Sequence, residues 1–228
     1  MIEFEFANWG KREQPCLLGG MRVSEIIERL DEDQMTLQTL NAQRHVTPFK
    51  ADVEGEIKKF SDVNETLDKW IKVQGLWRSL EPVFTGGDIA RQMPLQAKIF
   101  NSIDKTWIRI MEKSVETKKV IPCCQNDMLK DFLPDLEGKL EECQKSLEAY
   151  LEGKRKRFPR FYFVSNPNLL KILSQGSEPV SVQEDLEKLF DAVNEATFEK
   201  NPEKKGTNEK IITEIMQRVG LDSEVIPL

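Results

Sequence analysis

Four cysteines, a single histidine and several carboxylate clusters are the residues of this 228-residue chain that could do chemistry. Cys123 and Cys124 are adjacent, a spacing open to thiol redox chemistry. They follow an apolar Val120-Ile121-Pro122 run, and free cysteine beside apolar residues packs as a small hydrophobe, so buried structural thiols are expected. With Cys16 and Cys143 they form no Cys-x-x-Cys pair, which argues against a zinc site and a secreted disulfide framework and for a reducing compartment. His45 lies in a helix-breaking segment beside Pro48, without the nucleophile or second imidazole that catalysis or a metal requires; a surface or capping role is expected. Asp31-Glu32-Asp33 and Glu141-Glu142 fall on polar helix faces, where nothing would split their pKa values for acid–base work. None of the 12 glycines belongs to a Gly-x-x-x-x-Gly-Lys-Ser/Thr or Gly-x-Gly-x-x-Gly loop that could wrap a phosphate. The chain is therefore expected to carry no catalytic, cofactor-binding or metal-binding residue.

Two further groups stand out. Lys154-Arg155-Lys156-Arg157 is a basic run in a chain of net charge −6. Its simplest reading is favourable charge on the last turn of a helix, and the next is a docking patch for an acidic surface. Trp70 and Trp77 are two helical turns apart on one face and read, with Trp9 and Trp107, as core anchors.

The elements that must position these residues follow from periodicity. Residues 2–9 alternate, with Ile2, Phe4 and Phe6 on one side, and Cys16-Leu17-Leu18 returns as a second strand closed by Gly19-Gly20, which predicts a hairpin. A helix is predicted from Ser24, as cap, through Leu40, with a break at 44–48. From Phe49 to Leu80 the apolar residues step by three and four, predicting a long amphipathic helix ended by Pro82 and Gly86-Gly87. Further helices are predicted over about 95–115, a short one through Leu129 to Leu133, and a long one from Pro134 to Lys156. Phe158-Pro159-Arg160-Phe161-Tyr162-Phe163 concentrates four aromatics in six residues; it is predicted to be a short buried strand over 160–165 that packs with the C-terminal strands. Asn166-Pro167 restarts a helix, a break follows at Gly176, and another helix is predicted over about 179–192. Within residues 193–210 the charged stretch 199–206, with its Pro and Gly, reads as an exposed flexible loop, Ile211–Met216 as strand or helix, and Val225–Leu228 as a strand cut short, so that the chain is expected to be part of a longer one.

The fold class expected is mainly α: an elongated helical-bundle rod with small antiparallel β elements. Three segments are distinguished: 1–48 with the hairpin and first helix, 49–157 with the long helices, and 158–228 with the aromatic strand, short helices and C-terminal strands. The charged fraction of 32% with only 12 glycines suits long solvated helices. Net acidity argues against nucleic acid as the main partner. No apolar stretch is long enough for a membrane span, and Met1-Ile2-Glu3-Phe4-Glu5 lacks the basic start of a signal peptide.

Several blocks in order resemble the linker region of dynein heavy chains. Trp70, Gln74, Trp77, Leu80, Glu81 and Phe84 form a W-x-x-x-Q-x-x-W-x-x-L-E-x-x-F pattern similar to that family's. Asp88-Ile89 with Met93-Pro94, then Phe100 to Trp107, then Leu140 to Arg157 leading into Phe158-Pro159-Arg160-Phe161-Tyr162-Phe163, continue the resemblance over nearly the whole chain. The wording around Val120–Cys124 and Phe163–Asn166 is closer to axonemal outer-arm chains than to the cytoplasmic form. The resemblance implies a mechanical lever lying across a ring of six AAA+ modules of the same heavy chain. Nucleotide turnover in that ring would bend and straighten the lever to drive movement along a microtubule. It implies no catalytic residue here, with ATP and Mg held elsewhere in the parent motor, and the ring and microtubule-binding stalk placed after Leu228. Junctions at Pro82 with Gly86 and Gly87, at Pro122, and at Gly176 with Pro179 are the expected hinges. The rival reading, a static helical scaffold, would show an internal helical repeat, and the sequence has none.

Overall fold

A computed structural model describes residues 2–174, 183, 185–190, 193–200, 210–219 and 222–227. The chain is mainly α-helical with small antiparallel β elements. It forms two compact units, one of residues 1–81 and 98–144, the other of 82–97 and 145–228. Among the described residues no helix is long and apolar enough to cross a membrane.

The first unit opens with the expected hairpin. Strands β1 (Phe6–Asn8) and β2 (Pro15–Leu18) pair antiparallel with Phe6 opposite Leu18. The alternation predicted over residues 2–9 is split: Glu3 bridges Lys119, and the Phe4 N–H donates to Lys118 O at 2.8 Å. Helix α1 (Gly20–Asn41) starts one turn before the expected cap. The Gly19 carbonyl takes the first helical bond from Val23 N–H, and the Ser24 hydroxyl turns back to Gly20 O instead of capping. Gly19 is also where chains meet closely, since a Cβ there would lie 3.3 Å from the Glu5 carbonyl oxygen.

After a 3-10 turn at Arg44–Phe49, helix α2 (Lys50–Phe84) runs for 35 residues, about 52 Å at 1.5 Å per residue. Val63, Leu67, Trp70, Val73, Trp77 and Leu80 are its buried stripe, at helical steps of three and four. Pro82 lies inside α2 rather than ending it. Helix α3 (Gly87–Gln92) and helix α4 (Pro94–Thr117) follow; α4 buries Phe100, Ile103, Trp107, Ile110 and Met111, the face expected from sequence with two of these at adjacent positions. Lys118, with φ of 57°, ends α4 in the left-handed region. Helix α5 (Val120–Cys124) buries both adjacent thiols. Pro122 sits in its first turn, where a missing N–H costs nothing.

Helix α6 (Asp127–Arg157) corrects the separation predicted at Pro134: the short helix and the long one are a single helix of 31 residues. Leu129, Leu133, Leu136, Leu140, Cys143, Leu147 and Leu151 are all buried, so one apolar stripe continues through the proline. That burial outweighs the single backbone bond that Pro134 removes.

The second unit contains the largest correction. Phe158–Phe163 forms no strand: Pro159–Phe163 is a 3-10 turn. Proline at its first position presets the backbone, and no described strand pairs with it. Nor is the segment buried, for Phe158, Tyr162 and Phe163 are all exposed. Helix α7 (Asn166–Ser174) follows, and Leu151, Val164, Leu169, Ile172 and Leu189 form the local core. Of the helix expected over 179–192, the short α8 (Leu186–Leu189) is seen. Strands β3 (Val193–Lys200), β4 (Lys210–Val219) and β5 (Asp222–Pro227) form an antiparallel meander in that order. Val193 to Lys200 pairs with β4 from Gln217 back to Lys210, so the first two residues of the loop predicted over 199–206 are strand instead, and the rest of that loop lies outside the described residues. Ile211–Met216 resolves to strand because it has a pairing partner on each side, with Ile215 opposite both Ala196 and Ile226.

Candidate functional site

The tryptophan–glutamine pattern on α2 converges on the N-terminal hairpin. Gln74 faces β2, where Leu18 N–H donates to Gln74 Oε1 at 2.7 Å and Gln74 Nε2 donates to Leu18 O at 3.4 Å. Trp107, one layer across on α4, donates Nε1–H to Cys16 O at 3.0 Å. The Trp77 and Trp107 rings stack with centroids 5.8 Å apart, and Trp70 meets Phe4 edge-on at 5.4 Å. Leu80 completes the buried face at 2% exposure, while the Trp70 indole N–H is buried without a partner.

A charged layer closes this arrangement at the hairpin loop. Arg12 Nη2 lies 3.2 Å from Glu81 and 3.1 Å from Asp104, with its guanidinium 5.3 Å from the Trp77 ring centre. Asp104 also accepts from Trp77 Nε1 at 3.0 Å, and Glu81 accepts from Trp9 Nε1 at 3.3 Å. Arg78 stands over the Trp9 ring at 4.6 Å. Burial works against the Arg12 charge, but Asp104 and then Glu81 outweigh it and raise its pKa. Gln74 and Glu81 of the α2 pattern thus grip the hairpin and its loop, fixing a β element on helices with hydrogen bonds as well as apolar burial. Arg12 and Asp104 were not singled out from sequence. Arg12 sits in a polar turn, and its partners are 69 and 92 residues away, so no local pattern marks it.

In the second unit Arg155 organises the turn after α6. Its Nε donates to Phe161 O at 3.3 Å, and its Nη2 donates to Val164 O at 3.3 Å and Asn166 Oδ1 at 2.6 Å. Asn166, the first residue of α7, is thus engaged by Arg155. Phe158 meets Phe161 edge-on at 4.9 Å. Arg160 donates to Leu189 O at 3.1 Å and stands 4.8 Å over the Phe190 ring. Tyr162 OH donates to Glu152 at 2.7 Å, and that bond, followed by burial, raises the phenol's pKa. Lys154 donates to Gln92 Oε1 at 3.1 Å, beside Tyr150 OH at 2.6 Å. The basic run is thus divided: Lys154 and Arg155 bind within the unit, whereas Lys156 and Arg157 are exposed.

Asp185 is fully buried, held by Lys188 at 2.6 Å and Lys171 at 3.4 Å. Burial alone would raise its pKa; the two lysines more than offset this and hold the carboxyl below its usual range.

The candidate hinge residues separate. Pro82 lies within the last turn of α2, Gly86 is the extended residue before α3, and Gly87 begins it. Pro122 lies in α5. Gly176 and Pro179 fall outside the described residues. Among the described residues no three His, Cys, Asp or Glu side chains are placed to hold a metal ion. His45 is exposed in the 3-10 turn before α2.

Comparison with known proteins places this architecture. The family model "Dynein heavy chain, N-terminal region 2" matches residues 1–228. Dynein axonemal heavy chain 8 of Mus musculus is 46% identical over 190 residues, covering 83% of this chain. Dynein axonemal heavy chain 5 of Rattus norvegicus is 40% identical over 219 residues, covering 96%. The dynein gamma chain of the flagellar outer arm of Chlamydomonas reinhardtii is 42% identical over 192 residues, covering 83%. The matched region spans 4%, 6% and 4% of these three relatives respectively. The chain belongs to the dynein heavy chain family, as an N-terminal region 2 of the axonemal type.

Proposed function

We propose that this chain is the mechanical linker of an axonemal dynein heavy chain. It docks on the AAA+ ring of the same heavy chain and bends and straightens with the ATP cycle, driving movement along the microtubules of a cilium or flagellum. ATP and Mg act in the ring of the parent motor ATPase, and this region contributes no catalytic group. Neither nucleic acid nor membrane is its partner.

The observation that carries this reading is the match of the N-terminal region 2 family model across residues 1–228. The physical support is stiffness. A lever transmits force only if its segments resist bending, and α2, α4 and α6 run for 35, 24 and 31 residues with one buried stripe each. The Gln74 and Trp107 bonds to β2 add cross-links that a purely apolar bundle lacks. Bending is then confined to junctions, of which Pro82 with Gly86 and Gly87 is the favoured candidate: Pro82 removes a helical bond, and Gly86 is extended between two helices.

The test is binding of the purified chain to the ring of its parent heavy chain lacking this region, without nucleotide, with ADP, and with ATP plus vanadate. A lever requires affinity that changes with nucleotide state. Equal affinity in all three conditions would make it a static brace, because a ligand that binds all states equally cannot couple to them.

A further inference from the structure

The second unit leaves one surface unused by anything described above. Phe163 is 80% exposed and Tyr162 is 54% exposed, consecutive residues of the turn Pro159–Phe163. The Tyr162 phenol donates to Glu152 on α6, which lays its ring along the last turns of that helix. Lys156 is one turn beyond Glu152 on the same helix face, and Arg157 follows it. Both cations are exposed. Single exposed apolar side chains need no explanation, but the Tyr162–Glu152 bond brings the turn with its two exposed aromatics against the end of α6, where Lys156 and Arg157 are exposed. Arg160 is outside it, being committed to Leu189 and Phe190.

We propose that Lys156, Arg157, Tyr162 and Phe163 form a docking surface for an acidic peptide segment that carries one aromatic or large aliphatic anchor. The cations complement its carboxylates, and Phe163 with the Tyr162 ring receives the anchor. Charge complementarity selects this occupant over an extended polyanion. The chain's net charge is −6, so RNA or an anionic bilayer would be repelled beyond the patch. A short acidic segment feels chiefly the charges within about 8 Å, the screening length at physiological salt. Tyr, Phe and Arg are also among the residue types enriched at protein interfaces. This surface is independent of the lever reading and of ring docking.

The experiment is selection of a displayed random-peptide library on the purified chain, followed by fluorescence polarisation of the enriched peptides. Enriched sequences should pair a Glu/Asp cluster with a Trp, Phe or Leu. Their affinity should fall about tenfold or more with Phe163→Ala, and similarly with Lys156→Glu plus Arg157→Glu. All three positions are exposed, and circular dichroism checks that the variants stay folded. Failure to enrich, enrichment without acidic residues, or affinity unchanged in both variants would overturn the proposal. Tighter binding of a polyuridine oligonucleotide or of phosphatidylserine vesicles, lost in the charge-reversed variant, would also overturn it and assign the patch to a polyanion.

Discussion

The side-chain amide of Gln74 pairs with the backbone of Leu18 as a neighbouring strand would, accepting from its N–H at 2.7 Å and donating to its carbonyl at 3.4 Å. Leu18 is the last residue of β2 and is buried, so helix α2 supplies through one side chain the partner that a further strand would otherwise provide. Gln74→Ala leaves both backbone groups unpaired. The expected cost is about 1–3 kcal/mol, read as a lower urea midpoint at unchanged slope. Gln74→Glu keeps the acceptor but turns a carboxylate oxygen toward the Leu18 carbonyl, so it should rescue little of the loss. Wild-type stability in both variants would show that water replaces the amide without penalty.

Arg155 plays the corresponding part in the second unit. It binds two backbone carbonyls and the Asn166 side chain, and so sets the reversal from α6 into α7. Lysine offers a point charge without the planar fork, so Arg155→Lys should recover less than half of the stability lost in Arg155→Ala. The loss in Arg155→Ala is expected to be about 1–2 kcal/mol. Hydrogen exchange at Phe161 and Val164, whose amides bond within the turn, gives the local readout. Unaltered exchange there in Arg155→Ala would remove the arginine from this role.

Much of this architecture is legible in the sequence because it rests on local periodicity. The stripe from Val63 to Leu80 predicts α2, and the Trp70, Gln74, Trp77 pattern marks the face that holds the hairpin. The misreadings share a cause in non-local structure. Phe158–Phe163 has strand composition, but a strand needs a neighbour; Pro159 and the guanidinium of Arg155, on the helix before it, give the backbone another solution. Pro134 carries a strong local break signal, and only the buried stripe on either side of it overrides that signal. The start of the charged stretch 199–206 looks like loop until β4 pairs with Glu199 and Lys200. Arg12, the centre of the charged layer, has no sequence mark because its value lies entirely in Glu81 and Asp104.

The adjacent thiols Cys123 and Cys124 are free and buried in the folded state. Burial pushes Cys123 up to about 11 and Cys124 up to about 12. The thiolate is the reactive form, so at pH 8 native Cys123 and Cys124 should react with a disulfide reagent far more slowly than in urea, where all four cysteines are accessible. The same shifts bear on stability. In the unfolded chain a thiol ionises near about 8.5, so the unfolded state loses protons first and stability should decline as pH rises from there toward 11 to 12. Cys124→Ala should flatten that alkaline slope. Rapid native labelling of both thiols at pH 8 would contradict their burial.

Asp185 should give the second unit an acid sensitivity of opposite sign. Its folded-state pKa is depressed: burial opposes ionisation, but Lys188 and Lys171 outweigh it. The stabilisation is fully present above the unfolded carboxyl value of about 3.9 and is lost as pH falls through the lower folded value. Asp185→Asn keeps the shape, removes the charge and leaves the two lysines facing each other across a neutral amide. At pH 7 it should cost about 1–3 kcal/mol, less than a fully buried pair because both lysine side chains are 40% exposed or more. As pH falls below the unfolded value of about 3.9 the wild type should approach the variant, because the unfolded chain then takes up a proton that the folded carboxyl resists. Urea midpoints for both proteins at pH 7 and at pH 2.5 decide it. A gap that stays constant between the two pH values would mean that Asp185 acts through hydrogen-bond geometry rather than through its charge.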